Sequence, residues 1–376
     1  MYVWQSPGWP GLTWDANALT ASQAQARVAQ GRMLGLASSL GMVDLAELQL
    51  SGWAQEAVAT AQIEGEVLQI NSVRASAARR LGLAHASATA RDGRSEATLD
   101  VLQAAVAQWD RSLTDEDLFA WHAALFPTGR SGVSRITVGA WRSHAEPMQI
   151  VTQRLGKPDV VHYQAPASAD VAAHMRMLLE WFNVVSVVHG IDGFARAAVA
   201  HLWFEAIHPF EDGNGRIGRA LAELALAQDM RSNLRLFSLS AQIALDRSGY
   251  YAQLQSATGH SRLDITPWAQ WFTGRIQAAC DAATDQMQTA LSRNRYWAYV
   301  NGQHLGLTVT QRKALARLLE AQPEGFAGGM STEKYVNLTS ASRATAYREL
   351  TRLTEYGLLE RTGQGRGTRY ALVLPG

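Results

Sequence analysis

The sequence of 376 residues predicts a mainly α-helical protein in which one β-hairpin interrupts a helical core and a small unit of helices and strands closes the chain. Three observations carry this. Seven stretches with helical patterning fill most of residues 91–295, at 99–109, 114–126, 169–189, 193–207, 216–230, 240–258 and 266–295. Two short β-rich runs, 148–154 and 159–163, flank the turn Leu155-Gly156-Lys157-Pro158. The last 70 or so residues read as three helices followed by two strands around Gly363-Gln364-Gly365-Arg366-Gly367.

Composition sets the broad class. Hydrophobic residues make up 47% and charged residues 18%, a globular balance with charge below the usual ~25%. The length predicts two or three compact units, read here as 1–90, 91–295 and 305–376. A net charge of +1 leaves no global field to steer a polyanion. Cys280 is the single cysteine, which excludes an internal disulfide and fits a reducing cytoplasm. The first ten residues lack the basic and apolar regions of a signal peptide, and no apolar run is read as long enough to span a bilayer. A cytoplasmic protein without membrane contact is the expectation.

Along the chain, Trp4, Trp9 and Trp14 with Pro7 and Pro10 give an aromatic, extended start suited to packing across helices. An alanine-rich amphipathic segment follows, from about Asp44 to Leu68. Thr60 and Glu64 are four apart and share a helix face, and Gly65 is a helix stop.

The densest chemistry lies in His208-Pro209-Phe210-Glu211-Asp212-Gly213-Asn214-Gly215-Arg216-Ile217-Gly218-Arg219. Gly213 and Gly215 let the backbone turn tightly and point its N–H groups at an anion. The loop runs into a helix N-terminus, which favours phosphate. Arg216 and Arg219 leave the first helical turn on one side, with planar forks suited to phosphate oxygens. Asp212 is a lone carboxylate beside this nest, and one carboxylate plus substrate phosphates is how magnesium is usually held. His208 titrates near neutrality and is placed to take a proton from a hydroxyl. These residues describe a phosphate site with its own base and metal ligand.

The twelve residues resemble the signature of the Fic family, His-Pro-Phe-x-Asp-Gly-Asn-Gly-Arg-x-x-Arg, with every fixed position filled. Fic enzymes mostly move AMP from ATP to a hydroxyl side chain of a target protein. The resemblance implies His208 as catalytic base and Asp212 as ligand to Mg2+. It implies Gly213, Asn214 and Gly215 as the nest for the α-phosphate, and Arg216 and Arg219 as partners of the outer phosphates. Residues 1–90 resemble a domain of uncharacterised function that often precedes Fic cores and carries an inhibitory helix. In that light Thr60-Ala61-Gln62-Ile63-Glu64-Gly65 matches the family's Ser/Thr-x-x-x-Glu-Gly/Asn pattern, and Glu64 is expected to pair with Arg219 and hold the enzyme off. The hairpin resembles the Fic flap, where the target protein docks, with Val160, Val161, His162 and Tyr163 beside the nucleotide. Tyr250-Tyr251-Ala252-Gln253-Leu254 resembles the adenine-side element. Thr258 stands where several relatives carry Asn.

In the tail, helices over 310–319, 331–337 and 340–356, the last capped by Thr339 or Ser340, precede strands over 358–362 and 368–372. That order is a winged helix. Residues 331–376 carry seven basic and four acidic side chains. Thr345, Arg348 and Arg352 share a face suited to a DNA groove, and Arg361, Arg366 and Arg369 lie on the wing. DNA, a protein dock and a homodimer all remain open as its role. Two functions follow: an AMP transferase acting on a protein hydroxyl, or a transcription regulator sensing nucleotide through the same core. Removal of AMP at this site, other nucleotides and phosphocholine transfer stay open as related chemistries.

Overall fold

The computed structural model describes residues 1–83, 92–154, 157–322 and 325–374, with backbone alone for 152–154, 157–159 and 366. The chain divides into two compact units, Met1–Thr284 and Asp285–Gly376. It is mainly helical, as the sequence predicts.

The first unit opens with α1 (Ala16–Ala37), α2 (Met42–Ile63), α3 (Ile70–Arg80), α4 (Gly93–Ala107) and α5 (Asp115–Leu125). The minimal hairpin β1 (Arg130–Ser131) and β2 (Ser134–Arg135) follows. The flap is β3 (Gln149–Arg154) paired antiparallel with β4 (Lys157–Gln164), with register shifts after Ile150 and Thr152. Leu155 and Gly156 of the expected turn lie outside the described residues, while Lys157 and Pro158 already belong to β4. Next come α6 (Val171–Glu180), a π-helical turn (Trp181–Val185), α7 (Ser186–Val188), α8 (Gly193–Ile207) and α9 (Asn214–Met230). The unit's sequence continues through α10 (Leu239–Leu245) and α11 (Arg247–Thr258) into α12 (Thr266–Gly302).

Local chemistry explains most boundaries. Asp15, Asp92, Thr114 and Asp192 cap α1, α4, α5 and α8 through side-chain bonds to their first backbone N–H groups. The single helix expected over 240–258 is two helices, because Asp246 leaves helical geometry and caps α11 through Gly249 N at 3.1 Å. α8 is apolar nearly all round and buried along almost its whole length, the pattern of a central helix. α9 packs along it. The tryptophan-rich start lies across this core: Trp4 donates to Gln164 O at 2.7 Å, and Trp9 donates to His174 Nδ1 at 3.1 Å and meets Trp203 edge to face.

One composition reading needs correction. The helical stretch Ser168–Val188 is long and apolar enough to cross a membrane, with a mean hydropathy of 1.2. Val171, Met175, Leu178 and Phe182 are buried, while Val184, Val187 and Val188 face outward.

In the second unit, α13 (Val309–Glu320), α14 (Thr332–Thr339) and α15 (Arg343–Glu355) precede β5 (Leu359–Thr362) and β6 (Arg369–Leu372), an antiparallel pair. Leu315, Leu318, Tyr335, Leu350, Leu353 and Tyr370 share its core. α15 is capped by Ser342, whose Oγ accepts from Thr345 N, rather than by Thr339 or Ser340. Ser340 instead ends α14 in a left-handed conformation.

Candidate active site

The chain from α8 to α9 reverses over residues 208–213, and nearly every bond there serves that reversal. His208 ends α8 in the left-handed region, with φ 52°, which is costly for a residue with a Cβ. Arg142 holds it there: its Nε donates to His208 O at 2.8 Å, and its Nη2 to Pro166 O at 2.6 Å. Its backbone N–H donates to Pro209 O at 2.9 Å. The Asn214 side chain closes the loop, accepting from Phe210 N at 2.9 Å and donating to Phe210 O at 2.8 Å. His122 stacks on Phe210, its ring centroid 4.1 Å away, and its Nε2 lies 3.2 Å from Asp212 O. Gly213 takes φ 80° beside Phe126, where a Cβ would collide.

This turn forms the floor of a cavity of about 520 Å³, within the size range of small-molecule sites. His208, Asp212, Gly213, Asn214 and Gly215 line it, together with Glu64, Glu205, Tyr250, Tyr251 and Thr258. Asp212 Oδ1 accepts from Gly213 N at 2.6 Å, and Oδ2 accepts from Ser131 Oγ. Of the predicted flap contacts, His162 and Tyr163 line the cavity; Val160 and Val161 do not. Tyr163 is fixed by donating to Ala206 O at 2.5 Å.

The end of α2 closes one side. Glu64 is the C-cap residue that follows Ile63, and Gly65 comes next in the left-handed region. Gly65 N donates to Gln62 O at 3.0 Å and Glu66 N to Ala61 O at 2.9 Å, the paired bonds of a Schellman stop. Glu64 Oε1 then lies over Gly215, in the space a Cβ there would need. The same oxygen accepts from Arg219 Nη2 at 2.8 Å. Arg219, 1% exposed, also donates to Thr60 Oγ1 at 2.7 Å and to Thr60 O at 3.0 Å. Arg216 Nη1 pairs with Glu66 Oε1 at 3.0 Å, its guanidinium over the Phe126 ring. Neither arginine lines the cavity. Thr60, Glu64, Gly65, Arg216 and Arg219 are therefore brought together, at the rim rather than the floor.

Tyr250 is buried, with its hydroxyl 2.8 Å from His201 Nε2. Tyr251 is half-exposed and donates to Ile63 O at 3.0 Å, tying α11 to the end of α2. Thr258 donates its hydroxyl to Leu254 O at 2.8 Å and lines the wall.

Burial governs the electrostatics. It lowers His208 to about 4, His122 to about 4 and His201 to about 3, so all three are neutral near pH 7. Burial also lowers Arg142, which has only carbonyl and hydroxyl acceptors. Arg219 is raised: the charge of Glu64 and their hydrogen bond outweigh its desolvation. A neutral imidazole and an N-terminal helix turn facing one cavity are suited to deprotonating a hydroxyl beside an anion.

The sequence reading did not single out Arg142, Ser131, His122 or Glu66. Arg142, Ser131 and His122 stand in no local pattern, since each meets the loop from a distant element, 66 residues away for Arg142 and His208. Glu66 alone carried a signal, two residues beyond Glu64.

Residues 112–226 match the Fic/DOC family, and residues 2–83 match a domain of unknown function, DUF4172. Protein adenylyltransferase fic-1 of Caenorhabditis briggsae is 26% identical over 175 residues, covering 46% of this chain and 32% of its own length. Protein adenylyltransferase Fic of Nematostella vectensis is 30% identical over 141 residues, covering 37% of this chain and 30% of its own. The matches thus span about a third of these curated relatives. The crystal structure of a Fic family protein from Desulfovibrio desulfuricans G20 shares the fold, with a TM-score of 0.53 at 21% identity, over 95% of this chain and 97% of that one.

Proposed function

We propose that the Fic/DOC domain this chain carries over residues 112–226 makes it a protein adenylyltransferase, moving AMP from ATP to a hydroxyl of a target protein and restrained by Glu64. The observation that carries this reading is the meeting of His208, Asp212 and the Gly213–Gly215 turn on one cavity, with Glu64 set across it on Arg219.

In this reading neutral His208 takes the proton of the acceptor hydroxyl. The freed oxygen bonds to the α-phosphorus of ATP, the bond to the β-phosphate oxygen breaks, and pyrophosphate leaves. The N–H groups at the start of α9 stabilise charge on the α-phosphate, as a helix N-terminus does for anions. Asp212 and the Ser131 hydroxyl bonded to it fit a magnesium ion that arrives on the phosphates. Such an ion, held there, would supply charge neutralisation for the triphosphate. No group of three or more His, Cys, Asp and Glu side chains suited to a metal occurs among the described residues, so Asp212 and Ser131 would hold such an ion only together with the nucleotide.

Glu64 opposes this chemistry by competition. Its carboxylate lies over the nest and holds Arg219, so a triphosphate meets repulsion and lacks one cationic partner. The target's acceptor segment docks along the flap, whose Ile150 and Val161 are exposed. The second unit is read as a winged helix, and the exposed Arg343, Arg348 and Arg352 of α15 favour a further role in binding DNA or a partner. A gel shift with the whole chain at low salt tests DNA; binding that persists unchanged as salt rises does not fit phosphate contacts.

The transfer itself is tested by incubating the chain with ATP and magnesium in a cell lysate and searching tryptic peptides for added AMP. Modified hydroxyls that vanish with His208→Ala support the reading. Their absence even with Glu64→Gly contradicts it.

A further inference from the structure

Glu205 is another carboxyl on the cavity wall, beside Glu64, Glu211 and Asp212, one turn of α8 before His208. Its side chain is 10% exposed. Oε1 is pressed under α9, 2.7 Å from where a Cβ on Gly218 would stand, and has no hydrogen-bond partner. Oε2 lies 3.8 Å from His208 Nδ1, beyond hydrogen-bond reach. No arginine or lysine pairs with Glu205 among the described residues. Arg219 is engaged by Thr60 and Glu64, and Arg142 by backbone carbonyls and Ser168.

A carboxylate in this position would be buried, without a donor, in a cavity already facing Glu64. The groups around it are Glu64, Arg219, His208, Tyr163 and Tyr250, with His201 also against Gly218. Only Arg219 among them favours the ion. Desolvation and then the charge of Glu64 push Glu205 up to about 8, so it holds a proton at neutral pH. The triphosphate that displaces Glu64 brings negative charge of its own and preserves this bias. Phosphate oxygens accept hydrogen bonds and repel carboxylates, whereas a carboxylic acid supplies an O–H donor.

We propose that Glu205 is a nucleotide-binding residue that acts as a neutral carboxylic acid, donating its O–H to a phosphate oxygen. The inference rests on reading the cavity as a nucleotide site. It gives a buried carboxyl beside an anion a positive use, and it predicts that the nucleotide is held less tightly once Glu205 ionises.

The test uses the full chain carrying Glu64→Gly, magnesium and a non-hydrolysable ATP analogue, titrated between pH 6.5 and 9.5. Affinity in this parent should fall as pH rises through the ionisation of Glu205, which burial still raises although the charge of Glu64 is gone. Glu205→Gln, which keeps a donor but cannot ionise, should bind within about threefold of the parent at pH 7 and lose the alkaline fall. Glu205→Leu should bind about tenfold more weakly at pH 7. If the parent and Glu205→Gln fall alike with pH, or if Glu205→Leu binds as the parent does, the inference is overturned. No binding in the parent at any pH contradicts the nucleotide reading instead. An infrared difference spectrum, parent minus Glu205→Gln at pH 7, decides the protonation directly. The carbonyl band of a protonated carboxyl is expected, and a carboxylate band overturns the proposal with or without nucleotide.

Discussion

Arg216 Nη1 lies 3.0 Å from Glu66 Oε1, so the first arginine of α9 is held by the same Schellman turn that presents Glu64 to Arg219. Two carboxylates, two residues apart, therefore restrain two arginines, three residues apart. In the inhibited reading, the closing segment engages both cations that a triphosphate needs.

Glu66→Gln should then add to the release given by Glu64→Gly. The Arg216–Glu66 pair is partly exposed, and such pairs contribute roughly 1 kcal/mol. ATP affinity of the double variant should be about three- to fivefold tighter than that of Glu64→Gly alone. Calorimetry with His208→Ala present, to prevent turnover, checks this; equal affinities would show that Glu66 does not compete.

The pH dependence of transfer follows from His208. In the proposed reaction its neutral form is the base, and burial lowers it to about 4. Initial rates of the Glu64→Gly variant should stay level from pH 7.5 down to about 5.5 and fall only as pH approaches 4. An inflection near the ordinary histidine value of about 6.5 would place His208 in water instead.

Stability should follow the same histidines. His122, His201 and His208 have depressed values, so below about 6.5 the unfolded chain binds protons that the fold refuses. Their contribution is full above that value and is lost progressively as pH falls toward 4. Thermal melting of the whole chain should show its midpoint dropping across that window; a flat midpoint would contradict the assignment.

Arg142 is expected to act on rate through geometry. It fastens the carbonyls of Ile207 and His208 and bonds Pro209 O through its own backbone N–H. Arg142→Lys loses the fork, and a displacement of about 1 Å at a base can cost about a hundredfold in rate. ATP affinity should change little. Equal loss of affinity and rate would indicate collapse of the whole site.

Glu56 anchors the helix that carries Glu64. It accepts from Ser238 Oγ at 2.7 Å and Ser240 N at 3.1 Å, and it lies 3.8 Å from Arg235, all buried. Glu56→Ala strands these donors and should cost about 2–4 kcal/mol, read by urea unfolding. Because α2 is loosened, transfer should also rise with Glu64 intact. Lower stability with unchanged transfer would uncouple the helix from control.

What the sequence made legible was local. α8 reads to the residue because Asp192 caps it and its sequence is dominated by apolar residues. The His208–Arg219 segment marked the turn that floors the cavity, because its chemistry is compressed into twelve consecutive positions. α9 begins at Asn214 rather than Arg216, since Gly213 itself takes the N-cap position. The second helix of the 240–258 stretch was hidden because Asp246 breaks and caps within a single residue. Arg142 and Glu205 were not legible at all: one reaches the loop from far upstream, and the other is an ordinary glutamate whose surroundings exist only once α8 and α9 pack.

In the proposed function, Glu64 decides when His208 acts. The most direct measurement of this control is the rate of incorporation of AMP from α-labelled ATP into protein by the wild-type chain, Glu64→Gly, and Glu64→Gly with His208→Ala. The account predicts an increase of about tenfold or more with Glu64→Gly, abolished by the added His208→Ala. Equal rates for the wild type and Glu64→Gly, or label that survives loss of His208, would contradict it.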